Sequence, residues 1–212
     1  LNTARQKHDG ERVLALLKGV SSSYPDLEQW RDWAQMEIAR RRELEAAREK
    51  YDGKKILSLL ANVSSSYPDL QEWRRWARTE IERREDLEEA ISDYDGVRVL
   101  DVLQDVTTDY PRLEQLRTWA REQQQLRNRI AEAKNSYRLE KAQALLENLP
   151  SDHPDTIPLQ NWIETEQQRR KALTRARTEE KWYQVLDLID EFPPNYPDSK
   201  ALRAEAQSAL EQ

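Results

Sequence analysis

The chain has 212 residues, with 34 Lys+Arg against 40 Asp+Glu and a formal net charge of −6. It has no cysteine, which excludes a disulfide framework, a thiolate zinc site and a cysteine nucleophile. Its longest strongly apolar run is about five residues, far short of the roughly 20 that span a bilayer, so no membrane insertion is expected. The nearly balanced charges, the seven Trp and the eight Tyr predict a folded chain rather than a disordered one.

The first full element along the chain is a short amphipathic helix. Val13, Leu16, Leu17 and Val20 have the i, i+3, i+4, i+7 spacing of a helix with one apolar face. The segment 21–25 then ends in a proline, which pushes the residue before it away from helical geometry. The sequence therefore predicts a break in this segment.

A longer helix is predicted to follow, from about Leu27 to about Lys50. Asp26 is placed to act as its N-cap, with Gln29 at the position that completes a capping box. The helix is expected to end near Gly53, because glycine readily takes the left-handed conformation that closes helices. No segment of the chain has the period of a β-strand.

This pair of helices recurs every 43 residues. Residues 8–50 and 51–93 align without a gap and are identical at 24 of 43 positions. The Tyr-Pro step at Tyr24 recurs at the same interval at Tyr67, Tyr110 and Tyr196. Between the last two, His153 replaces the tyrosine. The predicted organisation is a single array, 1–212. It begins with the tail of a preceding repeat, 1–7, and ends with a partial repeat, 180–212. The four complete repeats between them are 8–50, 51–93, 94–136 and 137–179. Both ends fall inside the repeat pattern, so we expect the array to be a piece of a longer protein.

The repeat unit resembles the tetratricopeptide repeat. The second helix of that family has characteristic residues at relative offsets 0, 4, 7 and 12. Val13, Leu17, Val20 and Pro25 keep these offsets. The unit Trp30-x-x-Trp33-Ala34-x-x-Glu37 keeps the spacing of the family's first helix and is also similar to the half-a-tetratricopeptide variant of RNA-processing scaffolds. The resemblance implies an all-α, right-handed superhelical solenoid of about five helix hairpins, although each unit is 43 residues long and the family repeat has 34.

Two sets of ring-bearing residues are interpreted as structural. Trp30 and Trp33 share the apolar stripe of the long helix, which favours core packing over an aromatic ligand ladder. His8 and His153 stand in columns otherwise held by Tyr, with no matching carboxylates, so they are interpreted as Tyr substitutes.

Two columns of arginines are candidates for binding. The complete column has Glu or Gln four positions earlier and is interpreted as solvated or inter-repeat salt bridges: Arg41, Arg84, Arg127 and Arg170. The resemblance implies that the second column and its neighbours line a concave groove, where arginine suits capture of carboxylate or phosphate. These candidate partner-binding residues are Arg31, Arg74, Arg78, Arg117 and Arg121. An ordinary charged face remains the alternative.

The predicted function is a non-catalytic protein-binding or assembly scaffold that holds a peptide, favoured to be acidic, on its long-helix face. An RNA-processing scaffold and a structural spacer or self-associating rod are the alternatives; the negative net charge disfavours nucleic acid without excluding it. No phosphate loop, HExxH or nucleophile elbow occurs, so we expect no enzyme activity, no cofactor and no metal site. A cytoplasmic location is expected because no signal peptide is visible.

Overall fold

The computed structural model describes residues 1–194 and 196–211. Helices make up 71% of the chain, and the described residues contain no strand. The all-helical prediction is confirmed. Asn195 and Gln212 lie outside the described residues, so the predicted partial repeat 180–212 is described only in part. The helices are α1 Asn2–Gln6, α2 Gly10–Leu17, α3 Leu27–Glu49, α4 Gly53–Leu59, α5 Leu70–Ser92, α6 Gly96–Val102, α7 Leu113–Asn135, α8 Leu139–Glu147, α9 Thr156–Thr178, α10 Trp182–Asp190 and α11 Ser199–Leu210.

Short and long helices alternate along the chain. The long helices α3, α5, α7 and α9 each have 23 residues, and the short helices that precede them have 7–9. The long helix predicted from Leu27 to about Lys50 agrees with α3 to within one residue at its end. The first short helix ends at Leu17 rather than reaching Val20, because Gly19 takes a left-handed φ of 81° between them.

The prediction that Gly53 closes a long helix is wrong. The left-handed residue is Tyr51, with φ 54°, and Gly53 is the first residue of the next short helix, α4. A β-carbon on Gly53 would lie 2.3 Å from the carbonyl oxygen of Ala77 in α5. The glycine is therefore required by the close approach of α4 to α5, and not by backbone conformation.

The predicted capping box at the start of α3 does not form. Asp26 occupies the N-cap position, but its φ of 58° is left-handed and its side chain caps no backbone N–H. Side-chain caps occur instead on the short helices, where Asp9 accepts from the Arg12 N–H and Asp52 from the Lys55 N–H, each at 2.9 Å. Each of these aspartates satisfies one of the free donors at the start of a short helix.

The chain divides into two compact units, each with its own core. The first comprises residues 1–90 and 98–116, and the second comprises residues 91–97 and 117–212. In both, the buried side chains are the small and aliphatic residues that recur in the repeat columns, such as Ala34 and Ala77 in the first unit and Ala120 and Ala133 in the second. The tryptophans of the long helices pack against these cores but are half-buried rather than buried.

Candidate functional site

A buried glutamate stands in the middle of three of the long helices. Glu37, Glu80 and Glu166 are 3%, 0% and 0% exposed. Their pairs with the arginine four residues later were interpreted from the sequence as solvated or inter-repeat salt bridges, and the burial of the three glutamates is inconsistent with solvated pairs. A buried carboxylate needs charged and hydrogen-bonding partners, because transfer of an isolated charge out of water is very costly.

The contacts of Glu166 satisfy one oxygen of such a carboxylate, while its Oε2 is buried without a hydrogen bond. Its Oε1 accepts from the Arg170 Nε at 2.8 Å and from the Tyr196 hydroxyl at 2.9 Å. Tyr196 belongs to the Tyr-Pro step that follows, 30 residues along the chain, and is 7% exposed. Burial and then the hydrogen bond to Glu166 raise the pKa of Tyr196 to about 12. Glutamate, arginine and tyrosine thus form a three-part cluster, which we call the clasp.

The first compact unit contains the same clasp around Glu80. Arg83 pairs with one carboxylate oxygen, and the Arg84 Nε lies 3.8 Å from the other. Tyr110 occupies the position of Tyr196, and burial followed by the charge of Glu80 raises its pKa to about 12. The clasp therefore joins one hairpin to the Tyr-Pro step of the next.

At one position in the array the glutamate and the tyrosine of the clasp are replaced by neutral groups, while the arginine is kept as Arg127. Gln123 and Leu126 stand where the second repeat has Glu80 and Arg83, and His153 stands in the tyrosine column. The Nδ1 of His153 accepts from the Asp155 N–H at 3.1 Å, while its Nε2 and the Oε1 of Gln123 are buried without a partner. Burial lowers the pKa of His153, so the ring is held neutral.

Three of the four arginines in the complete column tie a long helix to the end of the one before it, whereas Arg41 pairs with Glu45 on its own helix. Among the described contacts, the guanidiniums donate to backbone carbonyls of the preceding junction: Arg84 to Lys50 at 3.2 Å, Arg127 to Asp93 at 3.5 Å and Arg170 to Tyr137 at 2.6 Å. Helix C-termini leave carbonyls without partners, and these donors satisfy them. The interpretation from the sequence was solvated or inter-repeat salt bridges. The inter-repeat contacts of Arg84 and Arg170 are hydrogen bonds to backbone carbonyls, and the salt bridges of these two arginines lie within their own helices.

The junction residues with positive φ form aromatic contacts with the following hairpin. The Tyr51 ring lies 6.2 Å from Trp76 and 4.9 Å from Tyr110. Its hydroxyl lies 2.6 Å from the Thr107 hydroxyl and donates to Asp109 at 2.9 Å. Hydrogen bonds from Thr107 and Tyr51 lower the pKa of Asp109, which is therefore an anion at neutral pH. His8, in the same column as Tyr51, packs against Tyr67, which fits its interpretation as a Tyr substitute.

Two of the five predicted binding arginines are engaged within the first unit. Arg31 forms a salt bridge with Glu28 at 2.8 Å on the same helix. Arg74 is half-buried and donates to the carbonyl of Leu60, where the short helix α4 ends. Arg74 thereby ties α5 to α4.

The other three predicted arginines differ in exposure. Arg78 and Arg121 are exposed on α5 and α7, whereas Arg117 is half-buried and already has interaction partners. Arg74 and Arg78 belong to the first compact unit, and Arg117 and Arg121 belong to the second. Each pair is one helical turn apart, as the sequence predicted, and the arrangement of all four along one track stays a prediction.

The first unit has an open cleft of about 660 Å³, which we call the Trp cleft. It lies among the end of α3, the start of α5 and the segment 105–109. Its aromatic side chains are Tyr51, Trp73 and Trp76. The Arg48 guanidinium lies over both indoles, 5.4 Å from Trp73 and 5.8 Å from Trp76.

Arg48 and the Trp cleft were not among the sites predicted from the sequence, where the tryptophans were interpreted as core packing. A signal was present, because Arg5 lies 25 residues before Trp30 and Arg48 lies 25 residues before Trp73. Arg5 is stacked over Trp30 at 5.2 Å, so the same arrangement occurs in two successive repeats. The mixture of rings and charges suits recognition of a polypeptide segment.

Within the described part of the chain, no group of three or more His, Asp or Glu side chains could hold a metal ion. None of the described helices is long and apolar enough to cross a membrane. No protein-family model matches the chain, and neither a curated protein nor a solved structure matches it.

Proposed function

We propose that this chain is a non-catalytic protein-binding scaffold and that the Trp cleft of its first compact unit holds a segment of a partner protein. The observation that carries the proposal is the contrast between the clasps and the cleft. The buried glutamates and their arginines are engaged in contacts between hairpins, whereas Trp73, Trp76 and Arg48 line an open cleft of about 660 Å³.

The size and composition of the Trp cleft support a polypeptide ligand. Clefts of about 300–1,000 Å³ are typical of binding sites, and aromatic residues and arginine are enriched where proteins bind one another. The tryptophans and arginines of the cleft lie on α3 and α5, and the hydroxyl of Tyr51 is hydrogen-bonded to Thr107 and Asp109 in the non-helical segment 105–109. A rigid site loses less entropy when it binds.

We also propose that the hairpins stack into a right-handed solenoid of about five tetratricopeptide-like repeats. The recurrence of the clasp and of the junction aromatics within each compact unit supports this, because identical contacts between successive hairpins generate a regular array. Small-angle scattering in solution tests it. An elongated profile is expected, and a globular profile would contradict it.

Selection from an unbiased display library of about 12-residue peptides tests the protein-binding function. We expect selected peptides, remade synthetically, to bind with micromolar affinity and to quench the fluorescence of the half-buried tryptophans. The function is wrong if no peptide binds below about 1 mM, the affinity expected of a featureless surface. It is also wrong if single-stranded RNA binds more tightly than every selected peptide, since that result favours the RNA-processing scaffold.

A further inference from the structure

We infer that the Trp cleft recognises a basic side chain, arginine above all, in an extended segment of the partner. This inference rests on the proposed function and specifies the chemistry of its ligand. It differs from the expectation of an acidic ligand that the arginine columns raised.

The floor of the cleft already receives a cation from the chain itself. Arg48 covers both Trp73 and Trp76, and the ring faces of indoles attract guanidinium groups. Arg48 is exposed, so it is held on the rings by stacking and not by enclosure. A guanidinium from a partner can displace it and form the same contact.

The charges around the cleft favour a cation over an anion. Four carboxylates and three arginines line the cleft. One of the arginines, Arg83, is already paired with the buried carboxylate of Glu80. Two arginines then face the four carboxylates Glu45, Glu49, Asp105 and Asp109. The excess is negative, and opposite charge both steers and selects a ligand.

Two of these carboxylates are available to a ligand. Glu49 and Asp105 are exposed, and neither forms an ion pair within the described part of the chain. They come from different elements of the cleft lining, Glu49 from the end of α3 and Asp105 from the segment after α6. Asp109 keeps its charge because its pKa is lowered by Thr107 and Tyr51. An incoming guanidinium would meet both rings and carboxylates.

The test uses four capped hexapeptides, Gly-X-Ser-X-Ser-Gly, with X as Arg, Lys, Gln or Glu, each with a fluorescent label. Fluorescence anisotropy should rank their affinities Arg, Lys, Gln and Glu, with the Arg peptide at least about tenfold tighter than the Gln peptide. Tighter binding of the Glu peptide than of the Arg peptide overturns the inference. If all four fail while a library-selected peptide binds, the inference is wrong and the proposed function stands.

The variant Arg48→Gln separates a basic ligand from an acidic one by the sign of its effect. Loss of the resident guanidinium frees the indoles and removes a positive charge, so the Arg peptide should bind several-fold more tightly. An acidic ligand would lose its main donor and bind more weakly. A decrease in affinity for the Arg peptide therefore overturns the inference.

A matched pair of double variants shows whether the cleft carboxylates are responsible. Glu49→Gln with Asp105→Asn should weaken the Arg peptide at least about fivefold, because the cleft loses two negative charges. The control, Asp32→Asn with Glu82→Gln, removes the same charge from exposed positions of the same unit outside the cleft. It should change affinity less than twofold. Equal losses in both pairs would mean that attraction is non-specific, and the site assignment would fail.

Discussion

Truncation of Glu166 is expected to destabilise the second compact unit far more than its short side chain suggests. The carboxylate is 0% exposed and accepts from Arg170 at 2.8 Å and from Tyr196 at 2.9 Å. Glu166→Ala leaves the buried Tyr196 hydroxyl without its acceptor, whereas the Arg170 side chain is 45% exposed and can be hydrated. The expected cost is therefore about 1.5–3 kcal/mol, the value of a hydrogen bond to a charged group.

The chain provides its own control for this truncation. Gln123 occupies the same column in the preceding repeat and has nearly the same size, but its Oε1 is buried without a partner. Gln123→Ala removes no charge pair and should cost about 1 kcal/mol, the value of one ordinary hydrogen bond at most. Urea unfolding followed by circular dichroism measures both free energies of unfolding.

A double-mutant cycle with Tyr196→Phe isolates the hydrogen bond within the clasp. A hydrogen bond to a charged group is worth about 1.5–3 kcal/mol, so Glu166 and Tyr196 should be coupled by about that amount. The reasoning is refuted if Glu166→Ala costs no more than Gln123→Ala. It is equally refuted if the coupling free energy is below about 0.5 kcal/mol, the usual limit of additivity.

Three further perturbations follow from the contacts described. Gly53→Ala should cost about 3 kcal/mol or more in thermal unfolding, at the upper end for overpacking, because the new methyl group would lie 2.3 Å from the Ala77 carbonyl. Tyr110 and Tyr196 should ionise near pH 12 in an ultraviolet titration. Since their folded pKa is raised above 10, their contribution of about 3 kcal/mol each, at roughly 1.36 kcal/mol per pKa unit, holds below pH 10 and is lost as pH rises toward 12. An NMR titration should give His153 a pKa below 6.5. Because the folded-state pKa is lowered, the free energy of unfolding should decrease as pH falls from 6.5 through that folded-state pKa.

The helices could be predicted from sequence because their signals are local and repeated. The break before Pro25 and the apolar stripe of α3 both depend on residues within a few turns of one another, and α3 begins at Leu27 as predicted. The role of Gly53 could not be predicted in the same way. Glycine suits both a left-handed cap and a close approach of helices, and only the distance to Ala77 decides between them.

The clasp was missed because its partners are 30 residues apart. The spacing of Glu166 and Arg170 indicates an ordinary exposed pair on a helix, and burial by Tyr196 is a tertiary effect. The sequence nevertheless contained a clue. Glutamate becomes Gln123 in the repeat just before the one whose tyrosine becomes His153, which indicates that the two positions face one another.

The predicted arginine track illustrates the opposite difficulty. Spacing placed Arg74 and Arg78 on one helical face, but it gave no information on which arginine already had an acceptor. Arg74 donates to the Leu60 carbonyl, whereas Arg48, which lacked any obvious motif, lies on the ring faces of the Trp cleft. Local periodicity predicts which face of a helix an arginine occupies. The hydrogen-bond acceptors near that arginine in the folded chain determine which contacts it makes.

The indole N–H resonances of the seven tryptophans test the central claim most directly. In a ¹⁵N-labelled sample, addition of a library-selected peptide should shift the signals of Trp73 and Trp76, which line the Trp cleft. The other five signals should move little, because those tryptophans do not line it. Assignment by single Trp→Phe variants identifies each resonance. Shifts confined to tryptophans outside the cleft, while Trp73 and Trp76 stay fixed, would contradict the proposed binding site.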